Sequence, residues 1–174
     1  MIANEVRESL QQVCAVLNKH KVEYLVVGGV AVGYHGYRRI SGITTIKPEL
    51  KTDLDFWYKP TITNFTNLLA ALRELRVKDE SLNKIVFDPK KTFLKIPHPS
   101  FHTDFLPQMK GLESFAESKL RSSKEILDGN QLYILSYEDL IKNKIAVGRS
   151  IDQEDINQLN KIKKKTDPSL GMGM

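Results

Sequence analysis

The chain has one cysteine, Cys14, in 174 residues. No disulfide can form within it, and such a sequence reads as a protein of a reducing compartment. No apolar run approaches the roughly 18 residues needed to cross a bilayer. The opening segment, MIANEVRESLQQ, holds two acidic side chains and no hydrophobic stretch of the signal-peptide kind. A cytoplasmic protein with no membrane partner is therefore the expectation. His35, His98 and His102 are not spaced as zinc ligands, and a lone thiol supplies no thiolate set. Internal repeats and low-complexity linkers are also missing.

What is present suits one domain, or a core with a small helical appendage: 41% of the residues are apolar. The formal charge of +5 favours anionic partners, nucleotides or RNA among them, without choosing between them. Part of that excess sits in Lys161, Lys163, Lys164 and Lys165. This cluster reads either as a solvated helix end or as a nucleic-acid contact.

Apolar spacing lays out the elements. Val6, Leu10, Val13, Cys14 and Leu17 recur at three and four, which predicts an amphipathic helix with Cys14 as a buried small residue. VEYLVV predicts a strand that ends in a Gly28-Gly29 turn before a short helix through Val30, Ala31 and Val32. Residues 36–49 break periodicity and read as a long loop. TDLDFWYK predicts a strand, and Pro60 with Thr61 or Thr63 starts a helix whose apolar side carries Phe65, Leu68, Leu69, Leu72 and Leu75. Further strands are expected over 84–87, 92–96 and 101–106, and a short helix over 111–120. Residues 125–135 predict a hairpin turning at Asp128-Gly129. Ser136 caps a helix containing Leu140, Ile141, Ile145 and Ala146, and a last helix spans 152–163.

Asp53 and Asp55 stand two residues apart in a strand, so both point to one face while Leu54 and Phe56 point to the other. Two carboxylates so placed repel each other unless a cation lies between them. A divalent, oxygen-ligated metal removes the conflict, and Mg²⁺ is the expected ion where phosphates complete its shell. A solvent-exposed acidic sheet face is the plainer alternative. Asp104, in FHTDFL, shares its expected face with His102 and Leu106. If that strand neighbours the first, three carboxylates meet on one side of the sheet. Such a cluster can hold two metal ions that activate a hydroxyl and neutralise a triphosphate. Asp104 would then orient or deprotonate the attacking hydroxyl. Trp57, on the same face, reads as a core or cleft-wall residue before a base-stacking one.

The series GGVAVGYHGYRR, TDLDFW and HTDFLP, followed by LSYEDLIKNKIAVGRSIDQEDINQL, resembles the nucleotidyltransferase superfamily of the DNA polymerase beta type. It is most similar there to the minimal and toxin-like bacterial branch. The resemblance covers residues 24–159. It implies an α/β (α+β) fold, a mixed β-sheet flanked by helices with a short helical C-terminal region. The expected division is a core over 1–135, a helical extension packed on it over 136–165 and, because PSLGMGM has nothing to pack, a disordered tail over 166–174.

By that resemblance Gly28 and Gly29 seat the triphosphate, Asp53, Asp55 and Asp104 are the metal-binding and catalytic carboxylates, and Lys144 reaches the nucleotide. Arg39, or Arg38, supplies a basic residue between the glycines and the carboxylates. The family pattern sets that residue close to the carboxylates, whereas here a longer spacer lets Lys47 or Lys51 take its role. Arg149, Asp152 and Asp155 match late polar positions that look as structural as functional. Taken by their own offsets, Lys144 is equally an ordinary surface lysine, and Arg149 pairs with Asp152 or Asp155 between two helices. The implied activity is Mg²⁺-dependent transfer of a nucleoside monophosphate from a nucleoside triphosphate (NTP) to a hydroxyl of an RNA, a protein or a small molecule. The implied alternative is an inactive nucleotide-binding or protein-interaction module, with a partner protein as in a toxin–antitoxin pair.

Overall fold

The computed structural model describes residues 2, 4–37, 52–78, 80–167 and 169. In chain order its elements are α1 (Asn4–Lys19), β1 (Tyr24–Val27), α2 (Gly28–Tyr34), β2 (Thr52–Tyr58), α3 (Ile62–Glu74), a 3₁₀ turn (Glu80–Lys84), β3 (Leu94–Pro97), β4 (Phe101–Leu106), α4 (Phe115–Arg121), β5 (Ser123–Leu127), β6 (Asn130–Ile134), α5 (Tyr137–Val147) and α6 (Ser150–Thr166). The strands form one mixed sheet in the order β3-β4-β2-β1-β6-β5. β2 runs parallel to β4 and antiparallel to β1, β1 meets β6 in parallel, and the edge pairs β3–β4 and β5–β6 are antiparallel. The chain is thus a mixed α/β protein whose sheet is flanked by helices and followed by a helical C-terminal region. Among the described residues no helix is long and apolar enough to cross a membrane.

Alternation decides the two faces. Leu54, Phe56 and Tyr58 of β2 are completely buried, as are Thr103 and Phe105 of β4. Phe56 stacks on Phe105 with ring centroids 5.2 Å apart, and Tyr24 meets Phe56 edge-on at 5.6 Å. α3 covers this face through Phe65, which lies 6.1 Å from Tyr58, and α1 joins it through Asn18, whose Oδ1 accepts from the Tyr24 hydroxyl at 3.0 Å. Cys14 lies on the inward stripe of α1, and burial pushes its thiol up to about 12, which keeps it an unreactive filler. Fully burying each large side chain here contributes about 1.5–3 kcal/mol.

Local signals start the helices where the sequence placed them. Thr61 Oγ1 accepts from Asn64 N–H at 3.3 Å, and Ser136 Oγ from Asp139 N–H at 3.2 Å. The hairpin turns at Asp128 and Gly129, both with positive φ, 47° and 81°. Three expectations need correction. No strand covers 84–87: Val86 is 91% exposed, and Thr92 Oγ1 instead closes the loop by accepting from Asp88 N–H at 2.7 Å. The short helix expected over 111–120 starts only at Phe115, capped by Ser114. In α5, Ile145 is 64% exposed and Lys144, not a surface lysine, is turned inward.

That inversion has an electrostatic cause. Lys144 Nζ lies 3.1 Å from Asp152 Oδ1 and 2.8 Å from Asp155 Oδ2, both on α6 and both buried. Arg149 closes the cluster, its Nε 2.8 Å from Asp152 Oδ2. Burial drives the Asp152 carboxyl up, but hydrogen bonds from Arg149 and Lys144 outweigh it and hold it down at about 2. Its contribution to stability is therefore present above its ordinary value near 3.8 and is lost as pH falls toward 2. Lys144→Met leaves two buried carboxylates without their ammonium and should cost about 3–5 kcal/mol in urea unfolding at neutral pH. An unchanged unfolding midpoint would show that the cluster does not hold α5 to α6.

Candidate functional site

Parallel pairing of β2 with β4 places Asp55 directly beside Asp104 and Asp53 beside His102. Paired residues on neighbouring strands share a face about 4.8 Å apart, so all four side chains lie on the face away from α1 and α3. The adjacency that sequence spacing left open is present in the fold. Asp53 is exposed, while Asp55 and Asp104 are half-buried.

Asp104 is held uncomfortably. Its Oδ1 is buried and has no hydrogen-bond partner among the described residues. Burial raises its carboxyl above the usual range; the charge of Asp53 adds to the rise, while Lys95 and His102 oppose it. Such a group is costly unless something arrives to accept its charge.

On the other side of β2, Val27 pairs with Asp55, and the chain turns into α2 at the next residue. Gly28 is not in a separate turn, as the sequence suggested; it is the first residue of the helix, with φ of 63°. A Cβ at Gly28 would stand 2.1 Å from Asp55 Oδ2 and 2.9 Å from Asp55 Cβ. Only glycine allows the backbone to approach the carboxylate this closely. A Cβ at Gly29 would meet nothing within 4 Å, so space is open beside it.

The remaining expected residues fall as follows. Trp57 is 2% exposed, its indole N–H donates to the Pro107 carbonyl at 3.1 Å, and it meets Phe115 edge-on at 5.4 Å. It is a wall of the core, with no ring face offered to a base. Lys144 stands in the α5–α6 cluster, its ammonium engaged by two carboxylates. Arg38, Arg39, Lys47 and Lys51, and the excursion that carries them, lie outside the described residues. One cation, Lys95, escaped the sequence reading, and Arg149 gains a neighbour beyond the partners expected for it. Lys95 is exposed on β3 and pairs with Asp104 across the strands. Arg149 comes close enough for Asp55 to act on it: hydrogen bonding to Asp152 first, then the charges of Asp152, Asp155 and Asp55, favour its charged form. Alternation in LKIP could have put Lys95 on the open face, but nothing in it names Asp104 as its neighbour.

Among the described residues, no group of three or more His, Cys, Asp or Glu side chains is gathered as a metal-ion site. The acidic residues share a face and a register without converging on one point.

No family model and no curated protein sequence matches the chain. Solved structures do. An antigenic nucleotidyltransferase-like protein from Paracoccidioides brasiliensis aligns over 93% of this chain and 77% of its own, with a TM-score of 0.54 at 13% identity. The antibiotic-resistance factor ANT(2'')-Ia, solved in solution, aligns over 97% of this chain and 88% of its own, with a TM-score of 0.53 at 14% identity. The fold is nucleotidyltransferase-like. At such identity the likeness concerns the backbone alone.

Two substitutions test this geometry. Gly28→Ala should cost more than the roughly 1–2 kcal/mol of left-handed strain, because it also displaces Asp55, whereas Gly29→Ala should stay within about 1 kcal/mol of the parent in thermal unfolding. Asp104→Asn should raise Tm at pH 7 and leave it unchanged in acid. The sign follows from the raised carboxyl: the folded state disfavours the ionised form, so the penalty is present at neutral pH and vanishes below the ordinary carboxylate value of 3.8. Equal Tm values at pH 7 would remove the strain assigned to Asp104.

Proposed function

We propose that this protein is a Mg²⁺-dependent nucleotidyltransferase that moves a nucleoside monophosphate from an NTP to a hydroxyl acceptor and releases pyrophosphate. The observation that carries the reading is the register of Asp55 beside Asp104, with the Gly28 backbone closed against Asp55. The donor set is made of carboxylate oxygens alone, and the partnerless Asp104 Oδ1 fits a hard divalent cation or a hydroxyl donor. Asp53, Asp55 and Asp104 would hold the ion, or two ions. When bound, Mg²⁺ supplies charge neutralisation at the triphosphate and lowers the pKa of an oxygen in its shell.

The residues of the chain have separate tasks in this reading. Gly28 and Gly29 let the triphosphate approach the backbone beside Asp55. Asp104 takes the proton of the attacking hydroxyl. The hydroxyl oxygen bonds to the α-phosphorus as the bond from that phosphorus to the β-bridging oxygen breaks, and the electron pair leaves with pyrophosphate. Lys144 acts indirectly, through Asp152, by fixing Arg149 near Asp55. Arg39 is retained as a phosphate contact on the strength of the sequence pattern.

One observation favours a second reading, a nucleotide-binding or interaction module without turnover: the carboxylates are not gathered as a metal site. Calorimetry with each NTP, with and without Mg²⁺, separates the two. The transferase reading expects Mg²⁺-dependent binding, at least about tenfold weaker in Asp55→Asn, where about 1.4 kcal/mol of carboxylate–cation attraction is lost. It also expects transfer of α-labelled nucleotide that falls about 10²–10⁴-fold in Asp104→Ala while NTP affinity is kept. Binding indifferent to Mg²⁺ and to Asp55 would favour the module.

A further inference from the structure

The in-line geometry of phosphoryl transfer gives the two sides of the acidic face different partners. The attacking and leaving oxygens lie on opposite sides of the reacting phosphorus. The proposed triphosphate seat, Gly28, adjoins β2 on its β1 side. Pyrophosphate therefore departs on that side, and the acceptor arrives over β4 and β3.

The edge strand holds a cation there. Lys95 pairs with Asp104, and both lie on the open face. His98 N–H donates to the Phe101 carbonyl at 2.8 Å, which marks 98 and 101 as a hydrogen-bonded pair. Counting back along the antiparallel ladder, 97/102 and 95/104 are non-hydrogen-bonded pairs, where side chains stand closest. Pro97, which has no N–H, agrees with that assignment. Lys95 thus stands at the shortest cross-strand separation from Asp104, yet among the described residues no hydrogen bond reaches Asp104 Oδ1. Its ammonium is exposed and keeps donors to give. His102, half-buried one pair along on β4, adds a second donor on the same face.

We infer that Lys95, with His102 beside it, forms the acceptor subsite, and that the acceptor is a hydroxyl compound bearing a phosphate group next to the hydroxyl. The inference rests on the transferase reading for its orientation. A purely structural Lys95 would be a cross-strand partner of Asp104, with no affinity for phosphate. An exposed ammonium at this position repels a cationic acceptor and gives a neutral one a weaker hydrogen bond than it gives a phosphate.

The test uses isotopically labelled full-length protein titrated separately with glycerol 3-phosphate, with a dinucleoside monophosphate ending in a 3′-hydroxyl, and with glycerol. NMR signals of the Lys95 and His102 side chains report binding, and calorimetry reports Mg²⁺–NTP affinity. Saturable shifts are expected with the two phosphate compounds and none with glycerol. Lys95→Met should weaken phosphate binding about tenfold, the size of one charge-assisted hydrogen bond, and Lys95→Arg should keep most of it. Mg²⁺–NTP affinity should not fall in either variant, because the donor lies on the other side of β2 and losing a cation beside Asp104 does not weaken a cation site. The stronger of the two phosphate compounds tells a small phosphomonoester from a nucleic-acid end. Absence of saturable shifts, equal affinity in Lys95→Met, or an equal loss of Mg²⁺–NTP affinity would each overturn the subsite. Phosphate binding at Lys95 without NTP binding in any form would sink the transferase reading and leave an anion site standing.

Discussion

Because side chains alternate along a strand, sliding β4 by one residue against β2 would turn Asp104 into the core and set Thr103 or Phe105 beside Asp55. The aromatic pair on the buried face prevents this. Phe56 and Phe105 are register partners, stacked at 5.2 Å, and the neighbouring Leu54 and Thr103 are fully buried. The apolar face therefore sets the chemistry of the polar one. An acidic pair that would repel if free to choose is held in place by packing on the opposite side of the same two strands. The raised carboxyl of Asp104 is the local cost of that constraint.

The C-terminal helices depend on a second constraint of the opposite kind. α5 turns a lysine inward where its apolar stripe would have placed Ile145, and two buried aspartates of α6 surround it. A buried ion cluster of this sort adds little net stability compared with apolar side chains of equal volume, but it penalises any other alignment. Its effect here is to fix Arg149 at the start of α6, near enough to Asp55 for their charges to interact. Helix alignment and site electrostatics are thus joined through Asp152.

The fold was largely legible because its signals are local. Alternation in TDLDFWY and FHTDFL, the caps Thr61 and Ser136, and the Asp128-Gly129 turn each act over a few residues, and each appears where the sequence put it. The segment 84–87 misled because Ile85, Val86 and Phe87 look like a strand but pair with no strand among the described residues; Ile85 and Phe87 pack on the core, Phe87 stacking on Phe65 at 4.8 Å, and Val86 faces out. The site was legible in its carboxylates and not in its cations. Asp53 and Asp55 announce themselves by spacing, whereas Lys95 gains meaning only from pairing with Asp104, and Lys144 only from meeting α6. Long-range register is what a single sequence conceals. Likeness to solved structures reaches the backbone; the narrower toxin-like branch rests on the motif series alone.

The acidic face is unsymmetrical, and its asymmetry bears on which ligand goes where. Toward β1 it ends in glycine backbone, with Gly28 pressed to Asp55 and open space at Gly29. Bare backbone suits a bulky polyphosphate, because N–H groups can approach oxygen without an intervening side chain. Toward β3 it ends in an exposed ammonium on an edge strand, able to reach a single charged group and to follow it as it moves. A symmetric carboxylate cluster could bind a donor in either direction. In the proposed transferase the glycine on one side and the lysine on the other would remove that ambiguity, because a reversed ligand would bring its triphosphate against one point charge and away from the glycine backbone.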